Sequence, residues 1–422
     1  MHVCDSPLRH RSVIAPLVGR DRVFGRSGGG FPSCDFPVQR QMKVQRFVWS
    51  PTGEWSTPLP VHPETGVQLI LTFGPVDAPA SAWFDSIATT WPAAAHVYCS
   101  GGGQIVDGTV DDECTVVTAV EFETARAHAL VLQGASLENS ERLGRELGAS
   151  LSAIEGLKHV LLFAEGLALN ATQFVDALNG ALPDDVKVSG GLASNGLALS
   201  RTAVGLNRPP QPGQVVAVGL VGESLLVGTG SVGGWDFFGP EREVTRAETT
   251  TVYELDGENA LEVYKRYLGD FARELPGIAL LFPLAVWQYE GGPVAVRTIL
   301  AIDESVGSLR FAGDIPTGST VRLMRTTTDK LIDGAASAAE IAGTLDNGHA
   351  PSLTICVSCI GRRAVMRSRV EEELDEVVFA SQGAPVVGFY GNGEIAPPTD
   401  GRTHTQAVLH NQTMTVTTIG ER

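Results

Sequence analysis

Two short stretches of this chain share one form, and that repetition constrains the fold more than any other feature. Residues 100–105 read Ser-Gly-Gly-Gly-Gln-Ile and residues 390–395 read Tyr-Gly-Asn-Gly-Glu-Ile, both x-Gly-x-Gly-[Gln/Glu]-Ile. Each follows a short apolar segment of strand length (Ala95–Cys99 and Val386–Phe389), preceded by a proline (Pro92 and Pro385) and by a stretch with helical character. Branched and aromatic residues crowded into four or five positions predict buried strands. Glycines just beyond such a strand let the backbone turn tightly and approach another group. The shared order of helix, proline, strand, glycine turn and amide or acid predicts two related α/β halves, with mixed sheets flanked by helices. Each half would contribute one glycine turn to a pocket.

Alternation along the chain supports the α/β class. Val67–Phe73 is a continuous apolar run closed by Gly74-Pro75, and Lys158–Ala164 is another. Leu143, Leu147, Leu151 and Ile154 recur at helical spacing, and Asn170 stands where an N-cap belongs. Cys114–Phe122 with Ala125–Leu132, and Gln214–Val221 with Glu223–Val227, read as neighbouring strand pairs joined by tight connections. A polar stretch over residues 237–256 suggests a domain boundary, giving domains 42–250 and 251–422. Residues 1–41, rich in arginine and with Ser27-Gly28-Gly29-Gly30, read as a disordered leader, and Met42 as a natural start.

Composition narrows the function. A net charge of −17 argues against nucleic acid and anionic membranes as partners, because both demand a basic face. No apolar run approaches the roughly 20 residues that span a bilayer. Six cysteines in 422 residues make no disulfide framework, which points to a cytoplasmic protein.

Several motifs fail on context. Gly228-Thr-Gly230-Ser-Val-Gly233 has dinucleotide-fingerprint spacing, but Gly234, Gly239 and Pro240 leave no room for the helix that the phosphate needs. Cys356 and Cys359 lie within one apparent strand, facing opposite ways, with no second cysteine pair for zinc. His404 and His410 are too far apart along a strand for one metal, so no metal site is expected. The Asn170 and Asn411 sequons read as capping and turn chemistry. No nucleophile elbow or zinc-protease helix is present, and a non-enzymatic protein is expected. The candidate ligand residues are Glu394, the only charge in Pro385–Pro397, with Tyr390, Gly391, Asn392 and Gly393 around it. Gln104 stands at the matching place in the other copy. Arg362 could meet a ligand carboxylate, and Asn411 lies in a terminal turn.

The chain resembles the FIST proteins (F-box and intracellular signal transduction) over nearly all of residues 42–422. Cys99–Ile105, Ser189–Asn195 and Gly234-Trp235 through Gly239 carry the likeness in the first half. Asp256-Gly257, Ala260–Tyr264, Cys359-Ile360-Gly361-Arg362, Gly388–Pro397 and His410–Met414 carry it in the second. The resemblance implies a bacterial sensory protein, an N-terminal FIST domain followed by a C-terminal one, binding a small ligand such as an amino acid. It also implies, as an alternative, a haem-carrying nitric-oxide sensor acting on a histidine kinase or a cyclic-di-GMP enzyme. Many relatives carry His where this chain has Gly233, a departure that weighs against haem. No F-box is evident in residues 1–41.

Overall fold

The order of strands in the sheets shows one arrangement three times. A computed structural model describes residues 42–78, 80–345, 348–399 and 406–422. The expected leader and His404 lie outside the described residues.

The first module runs β1 (Lys43–Trp49), β2 (Leu69–Gly74), α1 (Ala80–Thr90), β3 (Ala95–Ser100), the small hairpin β4 (Gln104–Val106) and β5 (Thr109–Asp111), then β6 (Thr115–Glu121). The second runs β7 (Arg126–Gln133), α2 (Ser140–Ser152), β8 (Leu157–Ala164), α3 (Ala171–Asn179), β9 (Lys187–Leu192), β10 (Val204–Leu206) and β11 (Gln214–Val221). The third opens with β12 (Leu225–Val232) and is interrupted by an inserted β-rich layer. The insert comprises β13 (Asp236–Glu248), β14 (Thr251–Leu255), β15 (Glu258–Asn259), α4 (Ala260–Leu268), β16 (Leu284–Trp287), β17 (Val294–Arg297), β18 (Ile299–Asp303), β19 (Ser308–Phe311) and β20 (Thr320–Arg325). The module then resumes with α5 (Thr328–Gly343), β21 (Leu353–Cys359), α6 (Ile360–Met366), α7 (Val370–Ala380), β22 (Val386–Gly391), β23 (Gly393–Ala396), β24 (Val408–His410) and β25 (Met414–Glu421).

Within each module the strands lie in the order first, last, second, third: β1-β6-β2-β3, β7-β11-β8-β9 and β12-β25-β21-β22. In each, the second and third strands are parallel and the other neighbours antiparallel. The strand after each turn leaves its own module and extends another. β4 pairs with β22, β23 with β9, and β10 with β3, closing a ring of exchanges. The turns repeat this geometry in their amides: Gly102 donates to Tyr390 (2.8 Å), Asn392 to Leu192 (3.1 Å) and Ser194 to Ser100 (2.8 Å).

The α/β class with mixed sheets flanked by helices is thus observed. The turns at 100–105 and 390–395 stand at matching places, and Leu192–Asn195 completes the set. The related units therefore number three. The strand pairs read from proximity in sequence differ: β6 and β7 belong to different sheets, as do β11 and β12. Each tight connection carries the chain from one module into the next. The boundary expected near residue 250 falls in the turn between β13 and β14, which pair with each other.

An apolar centre shared by all three holds the modules together. Leu71, Phe73, Phe163, Val218, Val357 and Phe389 meet at the centre, with Phe73 against Phe389 at 5.0 Å between ring centroids. α2 turns Leu143, Leu147 and Leu151 inward and pairs Arg142 with Glu146 and Arg145 with Glu141 outside, the usual division for a surface helix. Asn170 caps α3 as expected, accepting from the Gln173 amide at 3.2 Å. The insert has its own core around Tyr264, Phe311, Val321 and Leu323.

Candidate functional site

The carboxyl ends of the parallel strands are where an α/β sheet offers a ligand its crevice, since chain direction reverses there and helices diverge. A cleft of about 720 Å³ opens beyond β8 and β21, between the second module, the third and the insert. Gly166 and Leu167 follow β8, Cys359-Ile360-Gly361 join β21 to α6, and Thr298, Arg310 and Phe311 come from the insert. The volume lies within the range of small-molecule sites.

Its polar groups are few and unevenly satisfied. The Asn392 amide donates to the Gly166 carbonyl (3.3 Å), while its Oδ1 has no hydrogen-bond partner among the described residues. Asn411 accepts from the Thr298 amide (3.4 Å) and donates to the His410 carbonyl (3.1 Å). The hydroxyl of Thr298 is buried and unpartnered. Arg310 is exposed at the cleft and makes no ion pair among the described residues. Leu167, Leu169, Leu192 and Phe311 supply an apolar wall. A second cleft, about 670 Å³, is lined by the turn Gly101–Gly103, Asn195, Gly196 and Arg363. The two clefts share Leu197 and Ile360.

Of the residues singled out in the sequence, Asn392 and Asn411 line the larger cleft. The others lie beneath the clefts in the packed interior. Glu394 is fully buried in β23; its Oε2 accepts from the Thr413 amide (3.1 Å) and hydroxyl (3.0 Å), and its Oε1 has no partner. Burial pushes its carboxyl up to about 8, with the Thr413 hydrogen bonds opposing. Arg362 is committed elsewhere: Nη2 binds Glu373 at 2.7 Å and the Leu331 carbonyl at 2.8 Å, and Nη1 binds the Gly233 carbonyl at 2.6 Å. Both partners of that ion pair are fully buried. Tyr390 donates to the same Glu373 (2.8 Å), as does Ser358 (3.0 Å). Gln104 is buried with its amide on the Gly101 carbonyl at 3.3 Å. Gly391 and Gly393 allow close packing, since a Cβ would meet the Leu192 carbonyl at 2.8 Å and Leu409 at 3.0 Å respectively.

The cysteines need one adjustment. Both lie in β21 and are buried free thiols, but α6 begins directly after Cys359, a helix not foreseen between Ile360 and Met366. Cys359 therefore stands at a strand-to-helix junction and borders the cleft. Burial, then the neighbouring Glu394, push its thiol well up, so it stays protonated. No group of three His, Cys, Asp or Glu able to hold a metal occurs among the described residues. The described lining of the larger cleft includes no His, Met or Tyr. Cys359 is the one residue of that lining of a type that ligates haem iron, with no imidazole, thioether or phenol beside it.

Sequence profiles now place the chain. The profile of the FIST N domain matches residues 68–258, and that of the FIST C domain matches residues 260–397. The chain belongs to the FIST family. FIST domains are associated with signal transduction and small-ligand sensing. No curated protein matches the chain. Among solved structures, a chorismatase is similar at 11% identity, over 90% of this chain and 99% of the other, with a TM-score of 0.34. A cyanuric acid hydrolase is similar at 9% identity, over 91% and 100%, with a TM-score of 0.28. No helix among the described residues is long and apolar enough to cross a membrane.

Arg310, Thr298 and Phe311 were missed in the sequence. Arg310 and Phe311 sit in β19 and Thr298 joins β17 to β18, all remote in sequence from either glycine turn and without a local motif.

Proposed function

We propose that this protein is a sensor whose input is a small carboxylate with an apolar body, held in the 720 Å³ cleft. The observation that carries this reading is the pair of unpartnered acceptors, Asn392 Oδ1 and Thr298 Oγ1, beside an arginine without an ion pair. Buried polar atoms are satisfied in nearly all native structures, so unsatisfied ones at a cleft are places for ligand donors. Arg310 would take the carboxylate, the two acceptors an ammonium or hydroxyl, and the leucine and Phe311 wall the apolar part. An apolar amino acid has these three features. Binding rather than catalysis is favoured because Cys359, the one thiol in the described lining, is held protonated by burial and no histidine stands there to activate a threonine hydroxyl. The family resemblance suggests a histidine kinase or a cyclic-di-GMP enzyme as the receiver of the signal.

A thermal-shift screen of the full chain against amino acids and small carboxylates tests this, since a ligand of the native state raises its stability. Apolar amino acids should raise the melting temperature in a saturable way and be recovered unchanged. Asn392→Ala should weaken them at least tenfold. No shift from any member of the set, or an unchanged affinity in Asn392→Ala, would remove the cleft from consideration.

A further inference from the structure

Away from that cleft, Arg297 ends β17 with its side chain 2% exposed. Its Nε donates to the Asp314 carbonyl (3.3 Å), and its Nη1 to the carbonyls of Val296 (3.3 Å) and Leu409 (2.6 Å). Every bond goes to a neutral carbonyl. No carboxylate lies within ion-pair distance, and Nη2 has no acceptor among the described residues. A buried charge is ordinarily paired, because desolvating it alone is costly.

Arg297 lines a cavity of about 180 Å³, distinct from the larger cleft and separated from it by Thr172 and Gly313. Asp176, Asn179 and Gln288 also line it. Asp176 sits on the exposed side of α3 and makes no ion pair among the described residues. Asp176 and Asp314 are the carboxylates whose fields reach Arg297. The Asp314 carboxylate is already taken up by the side-chain amides of Asn170 (3.0 Å) and Gln173 (3.0 Å). A cation lies on the buried wall of this cavity and an acid on its exposed side.

We propose that this cavity is a second binding site, for a small carboxylate bearing a hydrogen-bond donor a few bonds away. Its carboxylate meets the free Nη2 of Arg297, and its hydroxyl or ammonium meets Asp176. Arginine suits this role because its fork presents paired donors to a carboxylate. The dimensions exclude ligands of the size that the larger cleft admits. A free inorganic anion satisfies only the Arg297 half and leaves Asp176 unanswered.

Calorimetric titration of the full chain with glycine, glycolate, acetate and methylammonium distinguishes the halves of the site. Glycine and glycolate should bind saturably, acetate at least tenfold more weakly, and methylammonium undetectably. Arg297→Met, which keeps length without charge, should abolish binding, and Arg297→Lys should weaken it at least tenfold if the methionine variant does not fold. Asp176→Asn should weaken glycine at least tenfold and glycolate less. Arg297→Lys should leave the thermal shift given by apolar amino acids in the larger cleft unchanged, so this site can fail while the sensor reading stands, or the reverse. Failure of glycine and glycolate to bind the native chain, or binding that survives Arg297→Lys undiminished, overturns the proposal.

Discussion

Arg362 and Glu394 show how a residue conspicuous in sequence can serve the scaffold. The Arg362–Glu373 pair is wholly buried, and Glu373 also accepts from Ser358 and Tyr390. Removing one member of such a pair leaves an uncompensated charge, at a cost of about 3–5 kcal/mol. Arg362→Ala is therefore expected to lower unfolding free energy by about that amount in urea melts, with ligand affinity unchanged in whatever fraction remains folded. Glu394 makes a different prediction. Its folded carboxyl titrates near 8, against about 4.5 when exposed. The folded state therefore holds a proton that the unfolded chain releases. The resulting stability is complete below pH 4.5 and disappears as pH rises through about 8, a change on the order of a few kcal/mol. Glu394→Gln cannot ionise, so its unfolding free energy should lack that decline between pH 5 and 8. A variant with the same slope as the parent would show that another group sets it. Both side chains were legible in sequence as unusual, but burial, which decides their role, is a property of distant segments.

At the scale of elements, glycine proves to mark close contact more than ligand phosphate. The run Gly228-Thr-Gly230 lies in β12, and α5 crosses it so closely that a Cβ would stand 1.9 Å from the Ala342 carbonyl at Gly228 and 2.1 Å from the Ala338 carbonyl at Gly230. The buried face of α5 is correspondingly small: beyond Leu331 it is Gly334, Ala335, Ala338, Ala339 and Ala342. Local reasoning rejected the dinucleotide fingerprint because no helix follows it. The actual reason for the glycines is a helix that arrives a hundred residues later, which no local pattern states. Gly230→Ala must displace helix backbone rather than a flexible side chain, so a loss of roughly 1–3 kcal/mol or more is expected in thermal and urea unfolding. The two glycine turns were legible because their residue types coincide in order. The stretch Gly190–Asn195 is legible as a further glycine turn but not as a third copy, because Ala193 and Asn195 stand where the other two have glycine and a longer loop precedes β10.

For the whole molecule, two buried histidines set the response to acid. His96 bonds the Thr72 hydroxyl at 2.9 Å and His159 the Ser189 hydroxyl at 2.8 Å. Burial holds each down to about 3, so both remain neutral in the fold while the unfolded chain takes up protons below about 6.5. Their stability contribution is present above pH 6.5 and is lost as pH falls toward 3, opposite in sign to that of Glu394. His159→Gln should flatten the acid limb of a stability–pH curve; an unaltered limb would place its origin elsewhere. The candidate site, likewise, is a property of the whole: Asn392 and Asn411 were readable from their turns, whereas Arg310 and Thr298 reach the cleft only because the insert folds back over β8 and β21.

The ring of strand exchanges also determines how the chain can be cut. A fragment ending near residue 259, where the two FIST profiles meet, would keep β9 but lose β23, and keep the β4–β5 hairpin but lose β22. Each half would then carry a raw edge shaped for the other, and such edges invite association between chains. The two profile segments are consequently not separable parts that could be shuffled or expressed apart. Produced singly they should aggregate, and produced together from two genes they should assemble into one particle, as two pieces of a split protein do.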